Sequence, residues 1–215
     1  MRDAQGEEFK HFSVDLEFLI DDEARERLAP ALAARKLIDF AGPYGWEHSA
    51  TNLGRTAALA DAPGEDLEAV QRHVLAVVEL RAPFSLARSE RRDADRGAHH
   101  VDLSALDEAA HCMATAENRA VFHGWQATGI TGIAGASMHG AITLGDDCER
   151  YPRYVAQAVE ALLRASIDGP YGLALGPDTY TRVLETTEHG GYPLLNRLRE
   201  IIDGPLLWAP GRARS

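Results

Sequence analysis

The chain has 215 residues, 45% of them hydrophobic, enough for one large domain or two small ones around a real core. A net charge of −11 repels phosphates and anionic headgroups, which sets nucleic acid and membrane surfaces aside as partners, and no apolar run approaches the roughly 20 residues needed to cross a bilayer. The opening MRDAQGEEFKHF is charged where a signal peptide would be apolar, which predicts a cytoplasmic protein, and the two cysteines, Cys112 and Cys148, can build neither a disulfide framework nor a four-thiolate zinc site.

In chain order, Ala24, Leu28, Ala31, Leu32 and Arg35 keep helical spacing behind the acidic start Asp21, Asp22, Glu23, which predicts an amphipathic helix from Asp21 to about Ile38. Gly42-Pro43-Tyr44-Gly45 enforces a turn before Trp46. From Trp46 to Leu80 polar and apolar residues alternate around the breaker Asp61-Ala62-Pro63-Gly64 and end in a strand-like run, Val74 to Leu80. This is a candidate long hairpin, one that projects and pairs with something outside its own subunit. The mixed charge run Arg88 to Arg96 reads as a solvated face.

Ser104, with Asp107 three residues later, announces a long helix whose apolar stripe is Leu106, Ala110, Met113, Ala116 and Ala120, ending near Trp125. Glycines at 124, 129, 132, 135 and 140 then interrupt the chain, and we place a boundary near Gly135. Beyond it follow a helix from Pro152 to Ile167, a strand from Tyr171 to Gly176, a helix opened by Pro177, a Gly-rich loop from Glu188 to Tyr192, a helix from Pro193 to Ile202 and a strand from Leu206 to Trp208. Such alternation describes a small α/β sheet unit.

Catalytic signatures do not emerge. Gly135-Ala136-Ser137-Met138-His139 resembles a nucleophile elbow, but histidine stands where a second small residue belongs and no strand precedes it. Of the histidines at 99, 100, 111, 123 and 139, His111 and His123 sit too far apart on one helix to share an ion, and the pair His99-His100 reads as solvated loop. There is no Gly-x-Gly-x-x-Gly after a strand and no Gly-Lys-Ser/Thr. The residues therefore point to an α+β protein that is not an enzyme, holds no cofactor or metal, and serves a structural or binding role.

Arg35-Lys36-Leu37-Ile38-Asp39-Phe40 followed by Gly42-Pro43-Tyr44-Gly45-Trp46-Glu47 resembles the encapsulins, the nanocompartment proteins also known as linocin-type bacteriocins. The likeness recurs in family order at Val78 to Phe84, Arg96-Gly97, Asp102-Leu103, Phe122-His123-Gly124-Trp125, Gly129-Ile130, Gly132-Ile133, Gly169-Pro170-Tyr171 and Tyr192-Pro193. It implies the tailed-bacteriophage major-capsid (Hong Kong 97-like) fold. On that plan residues 1–45 are the N-terminal arm and helix of a peripheral domain, 46–80 the extended loop, 81–135 the peripheral domain with its spine helix, and 136–215 an axial domain. The resemblance further implies an icosahedral homo-oligomer that encloses a cargo enzyme, ferritin-like for iron storage or a dye-decolorizing peroxidase, through the cargo's C-terminal targeting peptide.

The cargo surface implied by the resemblance includes Leu28, Leu32, Arg35 and Asp39, with Leu28 and Leu32 as core and Arg35 paired to Asp39 across one helical turn as the plainer alternative. Glu188, His189, Gly190 and Gly191 match the family's fivefold pore loop, against an ordinary surface loop. Some encapsulins bind flavin against a tryptophan where this chain has Ser89, so no flavin is expected. Family members continue past Trp208-Ala209-Pro210 with strands that complete both domains, and Gly211 to Ser215 do not resemble that continuation, so the C-terminal strands are expected to be missing. Two other functions are weighed: a secreted bacteriocin or protease, opposed by the missing catalytic motifs, and a prophage capsid subunit of the same fold.

Overall fold

The computed structural model describes residues 5–211 apart from 61, 65, 99 and 189, and gives the backbone alone for 5–17. Its first helix, α1, spans Gln5–Ala31, so it begins earlier and ends earlier than the expected Asp21–Ile38. The early start follows from Phe9, Phe12 and Leu16, which extend the helical spacing towards the N-terminus. The early end has two causes. Pro30 brings no amide hydrogen to the Glu26 carbonyl. Beyond it, the freed backbone groups find a side chain: Asn118 Nδ2 donates to Ala31 O at 2.8 Å, and Asn118 Oδ1 accepts from Ala34 N at 3.0 Å. A single 3-10 turn, Ala34–Lys36, follows.

The expected hairpin forms. β1 (Ala50–Leu59) and β2 (Ala69–Ala76) run antiparallel and pair with each other alone among the described strands. Their register shifts between Asn52 and Thr56, where Gly54 takes φ +66° and its amide donates to Asn52 Oδ1 at 2.8 Å. The second strand sits earlier than the expected Val74–Leu80. The last cross-strand bond, Val77 N to Ser49 O at 2.9 Å, comes where the opposite strand enters the turn at 45–48, so among the described residues the ladder does not continue beyond it. The charge run becomes a helix, α2 (Arg88–Asp95), with no buried residue but with Glu90, Asp93 and Ala94 half-covered, and Glu90 Oε2 accepts from Asp102 N at 3.0 Å.

The long helix α3 (Ser104–His123) lies where its sequence placed it, but its start and its stripe differ. Ser104 is not the cap. Asp102 Oδ1 accepts from Ser104 N at 3.0 Å, and this bond holds the Asp102 carboxyl below its usual range. Asp107, which a capping box would turn back on the helix start, instead bonds Arg27 of α1. The fully buried stripe is Leu106, Ala110, Ala114 and Asn118, a strict four-residue repeat, while Met113, Ala116 and Ala120 are half-buried. Small alanines on this stripe admit α1, which packs along it. At the far end Gly124 takes φ +85° as the chain doubles back, and a Cβ there would meet Ile130 O and Gly132 N at 2.8 Å. Trp125 and Ile130 bridge across this turn before the short α4 (Ile133–Ala136).

The second half follows its expected order: α5 (Tyr151–Arg164), β3 (Leu173–Leu175), α6 (Pro177–Glu185), α7 (Leu194–Ile202) and β4 (Leu206–Trp208). β3 and β4 pair in parallel, Leu173 with Leu206 through Leu175 with Trp208, and α6 and α7 make the crossover that parallel pairing requires. Leu175, Val183, Leu194, Leu198, Ile202 and Leu206 close a core with Tyr151 and Cys148. Each such side chain contributes about 1.5–3 kcal/mol by leaving water. After β4, Ala209 and Pro210 are buried, and Pro210 O accepts from Asn118 Nδ2 at 3.0 Å. Among the described residues no helix is long and apolar enough to cross a membrane.

Candidate functional site

Leu28 stands on the last turn of α1 and Leu32 just beyond it, both half-buried; Arg35 lies in the 3-10 turn and Asp39 in the irregular chain after it, both exposed. Because α1 stops at Ala31, Arg35 and Asp39 do not share a helical face, and the one-turn ion pair between them does not form. Arg35 turns to α3 instead. Its Nε donates to Glu117 Oε1 and its Nη2 to Glu117 Oε2, each at 2.6 Å, a two-point pair with side chains 40% and 23% exposed. The Phe40 ring covers the guanidinium, with its centroid 4.4 Å from Cζ. Hydrogen bonding to Glu117, opposed by partial burial, raises the Arg35 pKa above its already high ordinary value, so this cation is permanent. No ion pair reaches Asp39 among the described residues.

This corner is fastened to α3 at three points. Arg27 bonds both Glu23 and Asp107, Arg35 bonds Glu117, and Asn118 takes the backbone of Ala31 and Ala34. The ion pairs are partly solvated and stabilise by about 0.2–1 kcal/mol each. Asn118 matters more: it is fully buried, and its three hydrogen bonds join the end of α1, the 3-10 turn and the chain after β4.

The Gly-rich loop is a tied turn between α6 and α7. Thr187 and Pro193 bridge at its base, Glu188 N donates to Tyr192 O at 2.8 Å, and Gly191 N donates to Glu188 O at 2.9 Å. Gly190 and Gly191 take φ +109° and +81°, which explains glycine at both positions. Tyr192 Oη donates to Glu200 Oε1 at 2.6 Å, and Arg197 Nη1 donates to Glu200 Oε2 at 3.3 Å, so α7 holds the loop by its last residue. These bonds, Tyr192's first, hold the Glu200 carboxyl below its usual range; the same bond raises the Tyr192 hydroxyl. His189 lies outside the described residues.

Elsewhere the chemistry is ordinary. Ser137 follows α4, and its Oγ accepts from His139 N at 3.2 Å. His99 lies outside the described residues; among those described, no group of three or more His, Cys, Asp or Glu is arranged to hold a metal ion. Cys112 is an exposed thiol and Cys148 a buried one, set against Tyr151, whose hydroxyl burial pushes up. Ser89 is an exposed residue of α2. A cavity of about 370 Å³ lies between α3 and β3, lined by Leu37, Phe122, Ile133 and Leu173 among others.

Sequence reasoning missed Glu117, Asn118, Phe40 and the tie from Tyr192 to Glu200. Asn118 had a signal: it stands one repeat beyond Leu106, Ala110 and Ala114, and a polar residue closing a buried stripe needs partners. Glu117 had none, because its partner lies on a distant segment.

A profile of the linocin family, described as "encapsulating protein for peroxidase", matches residues 9–213. The chain is 46% identical over 197 residues to the type 1 encapsulin shell protein of Rhodospirillum rubrum, covering 89% of this chain and 70% of that one. It is 39% identical over 194 residues to the same kind of protein from Brevibacterium linens (89% and 71%) and 37% identical over 191 residues to that of Mycobacterium tuberculosis (89% and 71%). In three dimensions it is similar to the subunit in the crystal structure of a virus-like particle from Pyrococcus furiosus, with a TM-score of 0.54 at 19% identity, covering 89% of this chain and 74% of that one. That likeness fixes the fold as capsid-like.

Proposed function

This chain belongs to the family of type 1 encapsulin shell proteins, and from that membership we propose that its copies close into a hollow icosahedral shell inside the cell that encloses a cargo enzyme. The observation that carries this is the match along residues 9–213, together with a hairpin that leaves both faces uncovered by its own chain. The family's description favours a peroxidase as cargo; a ferritin-like protein is the other candidate. The chain itself does no chemistry on this proposal. Its peripheral domain holds α1 and, from residue 81 to 135, the spine helix α3; residues 46–80 are the extended loop; the axial domain runs from 136 onwards.

Within the shell, Leu28, Leu32, Arg35 and Asp39 form the surface that takes a targeting peptide from the cargo's C-terminus. Two half-buried leucines supply apolar contact, and the region is held in one conformation by Asn118, which lowers the cost of ordering it on binding. The loop of Glu188, His189, Gly190 and Gly191 lines the pore. Its backbone tie and the α7 carboxylate support a fixed collar in that place. Expression followed by size-exclusion chromatography and negative-stain electron microscopy tests the shell: uniform hollow particles are expected, and small oligomers alone would refute it.

A further inference from the structure

The pair between Arg35 and Glu117 changes what the cargo surface can recognise. Arg35 is the cation placed among Leu28, Leu32 and Asp39 in sequence, and an acidic peptide would be its natural complement. Yet the side edge of the guanidinium, Nε and Nη2, is taken by Glu117 at 2.6 Å on each bond, and the ring of Phe40 covers a face, so a peptide meets a cation whose charge is already balanced and only its Nη1 end. The neighbouring cation, Lys36, is exposed and turns its ammonium to the Pro30 carbonyl at the end of α1, at 3.4 Å. Asp39 remains as an exposed carboxylate with no ion pair among the described residues.

We infer that Glu117 is a specificity-determining residue: by binding Arg35 it withdraws that cation from cargo, so the surface takes a segment that is apolar or neutral where it meets Arg35 and refuses an acidic one. This rests on the proposal that Leu28, Leu32, Arg35 and Asp39 receive the cargo peptide. Glu117 acts through Arg35 and need not touch cargo. An acidic side chain approaching Arg35 either displaces Glu117 or takes the Nη1 end, and in both cases it brings a second carboxylate close to Glu117 around a single cation, which is unfavourable. An apolar or neutral side chain meets the Phe40 ring and a guanidinium whose charge is already balanced. Asn118, next in the helix, fixes the backbone on both sides of Leu32 and so keeps Arg35 within reach of Glu117.

The test uses the full chain and two short fluorescein-labelled peptides that share leucines at helical spacing and differ in having Glu or Gln beside them. Fluorescence anisotropy gives the ratio of their affinities. Wild type is expected to prefer the Gln peptide, and Glu117→Gln to move the ratio towards the Glu peptide by about fivefold. In an Arg35→Met background the same Glu117→Gln change is expected to leave the ratio where it was, because no cation is left to release. Glu117→Asp, which keeps the charge, is expected to retain the wild-type preference. A ratio unmoved by Glu117→Gln, or moved equally with and without Arg35, overturns the inference while leaving the cargo surface standing. Failure of both peptides to bind wild type overturns the cargo-surface proposal itself. Circular dichroism of each variant establishes that it is folded, and Arg35→Met with Glu117→Met, an uncharged pair, replaces any charged variant that is not.

Discussion

The segment from α5 to β4 and the β1–β2 ribbon are held in opposite ways. In the first, Val183, Leu194 and Leu198 have no exposed surface, and two helices cover a small parallel sheet. In the second, Val74 and Leu75 point to opposite faces of the same strand, yet they are 52% and 53% exposed. An isolated two-stranded ribbon is marginal in water, so its ladder alone does not account for its shape. The subunit thus divides into a part that completes its burial within one chain and a part whose apolar side chains its own chain leaves uncovered. On the proposed shell, the first is the body of the subunit and the second is the arm whose apolar surface a neighbour would cover.

Cutting into the self-supporting part gives the largest effect. Leu198→Ala removes a fully buried side chain from the centre of the core and is expected to cost about 4 kcal/mol in urea-induced unfolding of the unassembled chain. A cost under about 1 kcal/mol would mean that the core relaxes to fill the gap, and the contrast with the ribbon would weaken. Next comes Asn118→Ala, expected to cost about 3 kcal/mol, because Ala31 O, Ala34 N and Pro210 O lose their partner together. Hydrogen exchange should localise this loss to the amides of Ala34 and its neighbours, with α6 and α7 unaffected.

The same division explains how much of the molecule could be read from sequence. Elements that bury their own apolar face announce themselves: α3, α5 and α7 carry helical periodicity and their ends fell within a few residues of expectation, and α6 starts at the expected Pro177. Pattern failed where a contact from far along the chain decides the local structure. The end of α1 is set by Asn118, more than eighty residues away, so the spacing that carried a helix on to Ile38 had no means of showing the stop. Arg35 offered Asp39 as a local partner and took Glu117 for the same reason. Ser104 does not cap α3, because the amides of Leu106 and Asp107 donate to Leu103 O, while Asp102 Oδ1 accepts from the amide of Ser104 itself. The hairpin was legible as alternation, but its limits were fixed by where the opposite strand turns away.

On the ribbon the expected effect on folding is small. Val74→Ser changes a residue that is already half-exposed in the folded single chain, and should move the unfolding free energy of the unassembled subunit by no more than about 0.5 kcal/mol. Particle yield by analytical ultracentrifugation should fall by far more than that figure implies, because one substitution recurs at every copy of a symmetric interface. Equal losses in folding and assembly would show that the ribbon is already buried within the single chain and would erase the distinction.

The smallest effect sits at the loop between α6 and α7, which belongs to the self-supporting part yet presents an exposed tip. The bond from Tyr192 to Glu200 depresses the Glu200 carboxyl, so the tie is fully present above the ordinary carboxylate range and is lost as pH falls through the depressed value. The Tyr192 hydroxyl, raised by the same bond, keeps its proton at neutral pH and can go on donating. A carbon-detected NMR titration of the Glu200 carboxyl should therefore show a midpoint below that of a free glutamate. Tyr192→Phe should move that midpoint up towards the free value, with Arg197 providing what depression remains. An unchanged midpoint would mean that the hydroxyl does not hold the carboxylate in solution, and that the loop keeps its shape through Glu188 N, Gly191 N and the bridge of Thr187 to Pro193 without help from α7.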